Sequence, residues 1–204
     1  MKTIIRMGLV ILLLLGNQAN AQYDNPADYV TRLVSDLTAS AETVASDTDL
    51  TTSSTRQVLA SALDIDRIAS AVLGSYGQTL DEYQIRRFRD ALAISFESLI
   101  ARALEAFDDY ELAIGSVRES GARAQVQAII KPDSGGRYDA VFSLSRSVVG
   151  WHAQNLTLNG VNLGLTYRNQ FAALMEDNAN NFEAALTDWK REINDGLKGT
   201  TPRP

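Results

Sequence analysis

The apolar positions change period twice along the chain, and the changes divide it into helices, then strands, then helices again. Asn25-Pro26 puts a proline in the first turn of a helix, where a missing N–H costs nothing, and Tyr29, Leu33 and Leu37 recur at steps of four. Asp47 to Ser54 is a polar break. Val58, Leu59 and Leu63 then predict a short helix. Another begins at Asp64, carries Ile65, Ile68, Val72 and Leu73, and stops at Gly74, because glycine accepts the left-handed backbone that ends helices. Thr79 with Glu82 three residues on reads as a capping box for the longest helix. Its apolar residues Ile85, Phe88, Leu92, Phe96, Leu99, Ala103 and Phe107 hold one face for about six turns, and Ile100 and Leu104 widen that face. A face so broad must lie on a large apolar partner.

The next segment switches to period two. Tyr110, Leu112 and Ile114 alternate with polar or small residues, and Ala124, Val126, Ala128 and Ile130 alternate with Arg123, Gln125 and Gln127. Pro132 to Gly136 is a strong turn, after which Tyr138, Ala140, Phe142 and Leu144 alternate again. In the last strand Trp151 and Ala153 share one parity while Leu156 and Leu158 share the other, which demands a bulge or a two-sided covering. Strands joined by such short connections pair antiparallel. Beyond Gly160, Phe171, Leu174 and Met175, then Phe182, Leu186, Trp189 and Ile193, return to helical spacing around an Asn178 to Asn181 break. The expected fold class is α+β, with helices on one face of a curved four-stranded antiparallel sheet and an apolar pocket between the layers. Periodicity alone leaves open whether that space is filled core or cavity.

Ahead of the first helix, Lys2 and Arg6 form a basic start, Gly8 to Gly16 an apolar run, and Ala19-Asn20-Ala21 a small-x-small cleavage site. The expectation is a signal peptide over 1–21 and a single domain over 22–204. The apolar run falls short of the ~20 residues that span a bilayer. Alanine stands at the cleavage site and the chain contains no cysteine, so neither a lipoprotein anchor nor a disulfide framework is expected. An export signal on a cysteine-free chain fits a bacterial periplasm. Removing the signal takes Lys2 and Arg6 from 19 basic residues and nothing from 25 acidic ones, leaving 17 against 25, a net charge of −8. That sign opposes attraction to nucleic-acid phosphates or to anionic lipid surfaces, and no nucleic-acid partner is expected.

Candidate chemistry is sparse. His152 is the single histidine, so the His and Cys clusters that hold zinc are lacking. It sits beside Trp151 with opposite parity and reads as a surface or strand-packing residue. Gly74-Ser75-Tyr76-Gly77 lacks the spacing of a nucleophile elbow. Asp47-x-Asp49, Asp64-x-Asp66 and Asp108-Asp109 with Glu111 do not continue as calcium loops and read as helix caps and solvated ends. Asn155-Leu156-Thr157 matches a glycosylation acceptor but falls inside a strand. No catalytic residue, metal ligand, phosphate loop or dinucleotide fingerprint is assigned. A large apolar inventory without a reactive centre favours binding or carriage over catalysis.

The stretch from Trp151 to Phe171 runs from a tryptophan-led strand through Asn159-Gly160-Val161 into Thr166-Tyr167-Arg168-Asn169-Gln170-Phe171. Together with Asn25-Pro26, Leu63 to Gly74 with its Ala71-Val72-Leu73-Gly74, and the pair Phe88 and Phe96, it resembles the MlaC-type periplasmic phospholipid-binding proteins. These are also called toluene-tolerance auxiliary proteins of a lipid ABC transporter. The resemblance implies an NTF2-like cone, no enzyme activity, and no cofactor beyond a bound phospholipid as cargo. It implies a soluble periplasmic shuttle between an outer-membrane lipoprotein complex and an inner-membrane ABC transporter with its MCE-domain ring, maintaining outer-membrane lipid asymmetry. On that implication Val72, Leu73, Phe88, Leu92 and Phe96 wall one side of a lipid pocket. Val126, Ala128, Phe142, Trp151 and Leu158 line the other, and Val161, Leu163, Phe171 and Leu174 close the mouth. Ordinary core packing is the competing reading for each. Asn155 stands where relatives commonly show an aspartate, and Tyr76-Gly77 replaces a bulkier aromatic or basic pair. Arg168 matches the family arginine, read either as a contact to head group or partner or as a helix-face arginine holding a carboxylate.

Two other readings stay open on the residues. One is a carrier of a different hydrophobe, such as a hopanoid, a sterol-like molecule or a quinone. The other is a small-molecule enzyme, since helix-and-sheet cones also host isomerases and dehydratases. Its mark would be a buried carboxylate facing the cavity with a raised pKa, and none of the strand positions expected to face inward is acidic.

Overall fold

Pro26 opens helix α1 (Pro26–Glu42), and the Asn25 side chain accepts a hydrogen bond from the Ala27 N–H at 2.8 Å to cap it. The fold is that of a computed structural model describing residues 25–42, 56–105 and 109–199; the expected signal peptide, the Asp47 to Ser54 break and Phe107 lie outside the described residues. Helix α2 covers 56–62. Asp64 then caps α3 (Ile65–Leu73) by accepting from the Arg67 N–H at 3.2 Å. Gly74 ends it with φ of 55°, a conformation glycine adopts at no steric cost.

A 3₁₀ turn, Gly74–Gln78, delays the longest helix, α4 (Glu82–Glu105). Its capping box is therefore Asp81 with Gln84, the Gln84 N–H donating to Asp81 at 2.7 Å and the Asp81 N–H to Gln84 at 3.0 Å. The expected Thr79–Glu82 pair is displaced because Thr79 is spent on the preceding turn, its hydroxyl donating to the Tyr76 carbonyl.

The strands are β1 (Tyr110–Ser120), β2 (Arg123–Pro132), β3 (Tyr138–Ser147), β4 (Gly150–Leu158) and β5 (Val161–Asn162), antiparallel and in sequence order. The fifth strand exceeds the expected four. It arises because Asn159 and Gly160 both take positive φ, 48° and 82°, which folds Val161 back onto Leu158 in a tight two-residue hairpin. Of the two answers to the parity switch in β4, a bulge or a two-sided covering, the structure shows the bulge: Ser143 pairs with Asn155 and Leu144 with Ala153, leaving Gln154 extra. Helices α5 (Leu163–Asp177) and α6 (Phe182–Gly199) complete the described residues.

Two apolar assemblies result. One joins α3, α4, α5 and α6 around Phe88, Leu92, Phe171 and Trp189. The other sets Val30 and Leu33 of α1 against the inner face of the sheet, where Ala124, Ala128, Ala140 and Ala153 keep the surface low enough for a helix to approach. Tyr29 ties the layers together: its hydroxyl donates to the Ala62 carbonyl at 2.6 Å and accepts from the Ala153 N–H at 3.2 Å. The Ala153 carbonyl in turn accepts from the Asp64 N–H, so α1, α2, α3 and β4 meet at one polar knot.

Candidate functional site

The apolar faces of α1, α2 and the second half of α4 do not close on the sheet. They leave a cavity of about 230 Å³ walled by Leu33, Val34 and Leu37 of α1, Leu59 and Leu63, and Phe96, Leu99 and Ile100 of α4. Its floor is the sheet at Ile130, Phe142, Leu156 and Leu158, and Leu163 and Gly164 at the start of α5 complete the rim. The sequence places it here because the broad α4 face runs past the end of the helical core and, beyond Leu92, meets α1 and faces the strands across the cavity.

Among the described residues the wall holds no charged side chain. Its polar members are Thr38, Tyr110, Tyr138, Gln154 and Asn155. Thr38 and Tyr110 hydrogen-bond each other at 2.8 Å. Asn155 accepts from the Gly164 N–H at 3.0 Å and donates to Asn162 at 2.9 Å, while Asn162 caps α5 by accepting from the Leu165 N–H. The rim is thus fixed by two asparagines at a helix start, a role an aspartate at 155 would share only in part, since it cannot donate to Asn162. At this end of the sheet Lys131 pairs with Glu111 and Arg137 with Asp139, outside the cavity.

Beside the cavity lies a second groove of about 340 Å³ between α2 and α4. Leu59, Leu63 and Phe96 border both spaces. Arg56 clasps the groove, its guanidinium donating two hydrogen bonds to the buried Glu97 carboxylate at 2.8 and 3.0 Å. Glu97 is the buried carboxylate nearest this region, and it is held by arginine rather than aimed into the cavity. His152 lies 3.5 Å from the Ser147 hydroxyl, away from the cavity wall. Among the described residues no group of three His, Cys, Asp or Glu side chains could hold a metal ion, and no helix is long and apolar enough to cross a membrane.

Of the residues expected at a pocket, Phe96, Phe142, Leu158 and Leu163 come together on the cavity wall. Val72, Leu73, Phe88, Leu92, Phe171 and Leu174 sit in the helical assembly. Val126, Ala128 and Trp151 lie in the sheet-side core. Val161 is 53% exposed on β5. The wall residues of α1 and α2 were legible as apolar faces but not as cavity lining. The one sequence sign of a hollow was the flanking stripe on α4, which widened an apolar face beyond what a single packed neighbour covers. Arg168 is exposed, with its guanidinium 3.1 to 3.2 Å from where a Cβ on Gly74 would stand. It covers the C-terminal end of α3, where a cation is favoured by the helix dipole.

A wall that is mostly apolar in its described residues can take apolar surface out of water. The fold and site define a container for a hydrophobic ligand. The chain belongs to the MlaC protein family, which it matches over residues 27–191. That family comprises lipid-binding carriers and not enzymes, which removes the isomerase-type reading of the cone. The chain is 26% identical over 199 residues to the toluene tolerance protein ttg2D of Pseudomonas putida, with 95% of this chain and 93% of that protein covered. Its fold is similar to that of a phospholipid-binding protein from Ralstonia solanacearum solved in complex with a phospholipid, with a TM-score of 0.73, 18% identity, and 84% of this chain and 98% of that chain covered.

Proposed function

We propose that this protein is a periplasmic phospholipid carrier that moves lipid between an outer-membrane lipoprotein complex and an inner-membrane ABC transporter with its MCE-domain ring, and so maintains outer-membrane lipid asymmetry. The observation that carries the reading is the cavity between α1, α4 and the sheet, whose described wall is mostly apolar. Family membership and the phospholipid bound by the Ralstonia solanacearum protein support it. On this reading residues 1–21 are the export signal and 22–204 a single carrier domain, with Phe96, Phe142, Leu158 and Leu163 among the side chains that touch acyl chains.

Two magnitudes shape the mechanism. Burying some 30 methylenes at about 0.8 kcal/mol each gives roughly 24 kcal/mol gross, beyond the range where non-covalent affinity saturates. Release into water is then too slow to be useful, and lipid passes directly into another apolar site on a docked partner. The cavity of about 230 Å³ is also smaller than the ~300–1,000 Å³ of ordinary ligand pockets, so a two-chain lipid requires its walls to part. The natural seam is between α2 and α4, where Arg56 and Glu97 meet. A bifunctional thiol cross-link between Arg56→Cys and Glu97→Cys, clean in a cysteine-free chain, should stop transfer between vesicles; unchanged transfer would refute the parting of these walls.

The carrier reading is tested by native mass spectrometry of protein purified from the periplasm, followed by lipid extraction. Two-chain phospholipid at about one per protein is expected. A hopanoid or quinone in its place would redirect the cargo. Protein that is lipid-free and takes up nothing from phospholipid vesicles would end the carrier reading.

A further inference from the structure

At the end of the sheet away from the cavity floor two hairpins lie side by side, the Arg146 N–H of one donating to the Ala122 carbonyl of the other at 2.8 Å. In the β3–β4 hairpin the turn is made by its flanks. Ser147 pairs with Gly150, the Val149 N–H donates to the Ser147 hydroxyl at 3.2 Å, and Gly150 supplies a positive φ of 116°. The two residues at the tip are Val148 and Val149, 93% and 74% exposed. Valine is poorly suited there, since turns favour glycine, asparagine, aspartate and serine, and an apolar side chain in water stabilises nothing. A departure from turn chemistry that the fold does not need points to a use for the surface.

Cations flank this tip on both faces of the sheet. Arg146 shares a face with Trp151, its guanidinium 5.6 Å from the ring centroid, while Arg123 shares the opposite face with Ser145 and His152 by register. Arg118 stands on that second face one strand further out, opposite Gln125. All three arginines are exposed, and among the described residues neither Arg118 nor Arg123 has a carboxylate partner. Within 117–125 and 143–153 the one acidic residue is Glu119. The cavity end of the sheet has the reverse balance, for Glu111 and Asp139 match Lys131 and Arg137 there, and Asp109 and Asp133 are added. On a chain that is acidic overall, positive charge gathers around a tip that is apolar.

We propose that the β3–β4 tip is a contact for an anionic lipid bilayer, with Val148 and Val149 entering the interface and Arg118, Arg123 and Arg146 lying on lipid phosphates. Apolar side chains ringed by arginines match the two layers of such a surface, acyl boundary and head groups. An acidic protein surface would complement the arginines, but a projecting turn with two apolar outermost residues fits a surface that yields to it. The contact is on the scale of a single acyl anchor, which binds reversibly. It builds on the carrier reading. The protein is held at a leaflet while the cavity, roughly 20 Å away along β2 from Arg123 to Ile130, stays clear for a docked partner.

The test is flotation of the mature protein with vesicles of phosphatidylcholine alone or of phosphatidylcholine with an equal part of phosphatidylglycerol, the cargo of the same protein being counted by native mass spectrometry. More protein should float with the anionic vesicles, and added salt should release it. Arg118→Gln with Arg123→Gln should weaken that partition about 30-fold, at about fivefold per arginine. Val148→Ser with Val149→Asn, which are ordinary turn residues, should weaken it about tenfold with the thermal midpoint unchanged or raised. Both double variants should carry as much lipid as the wild type. Equal partition of the wild type onto the two vesicles, none onto either, or an anionic preference that survives both pairs of substitutions overturns the contact while leaving the carrier intact. So does a dimer in solution that the valine substitutions dissolve without changing flotation, which would give the tip to a second copy. Protein that floats as expected but holds no lipid overturns the carrier reading and leaves the contact standing.

Discussion

The α3–α6 assembly and the space between α1, α4 and the sheet draw on similar apolar residues, yet one is filled and the other hollow. In the first, Phe88 stacks on Trp189 with centroids 5.0 Å apart and 12° between planes, and Phe171 meets Phe88 and Trp189 at steeper angles, 64° and 76°. Flat rings in mutual contact leave little void, and Phe88, Phe171 and Trp189 are wholly buried. In the second, aliphatic side chains on helices face a sheet whose inner surface is lowered by alanines, and the layers stay apart beyond the point where α1 touches them. Hydrophobicity is common to both regions; what separates core from container is whether facing side chains are shaped to interdigitate.

The strongest way to break this contrast is a matched pair of leucines. Leu92→Ala, in the filled assembly, should cost about 2–5 kcal/mol of unfolding free energy. Leu156→Ala, on the cavity floor, should cost less than about 2 kcal/mol, because a side chain bordering a void already lacks contact atoms on that side. Denaturant titration of both, with lipid loading measured alongside, decides the matter. Equal costs would mean that the cavity is packed in solution.

Tyr29→Phe comes next. It leaves the Ala153 N–H and Ala62 carbonyl without their partner and should cost about 1–3 kcal/mol. Burial pushes the Tyr29 hydroxyl up to about 12, against the lowering effect of the hydrogen bond from Ala153. With the folded value above the unfolded one, the contribution of Tyr29 is complete below pH ~10 and is lost as pH rises toward 12. Alkaline unfolding should start at lower pH in the wild type than in Tyr29→Phe, once each curve is referred to its own stability at neutral pH.

A smaller effect belongs to the rim. A Cβ on Gly164 would stand 2.8 Å from the Asn155 side-chain oxygen that accepts the Gly164 N–H, so Gly164→Ala breaks that bond. The expected loss is about 1 kcal/mol, comparable to a lost helix cap, with faster lipid exchange between vesicles. Unaltered stability and exchange would remove Asn155 from the rim's supports. The smallest effect lies on the filled side. The hydrogen bond from Asn178, with help from the neighbouring Arg191, holds the Asp188 carboxyl below its usual value against the opposing effect of desolvation. Its contribution is present above pH ~4 and is lost as pH falls below that, so Asp188→Asn should flatten the acid limb of the stability curve without changing lipid loading.

Much of the fold was legible. Steps of three and four in Ile85, Phe88, Leu92 and Phe96 and alternation in Ala124, Val126 and Ala128 follow directly from helix and strand geometry. The parity conflict between Trp151 and Leu156 called for a bulge or a two-sided covering, and the fold takes the bulge. The two-residue strand after Asn159-Gly160 was missed because its hairpin signal was read only as the end of a strand. The Asp81–Gln84 box was missed because Thr79 offers an equally good pattern two residues earlier, and only the 3₁₀ turn decides between them.

The candidate site was legible only in part, and the reason is physical. Sequence fixes which face of an element is apolar, because that depends on spacing along a single backbone. It therefore determined the α+β class, the broad face of α4, the strand alternation and the scarcity of chemistry. How far that face runs past its partner depends on the distance between separate layers, which no local pattern encodes. The tertiary structure alone decided that Phe88 and Leu92 end in a filled aromatic core while Phe96, one turn later on the same stripe, opens onto a cavity.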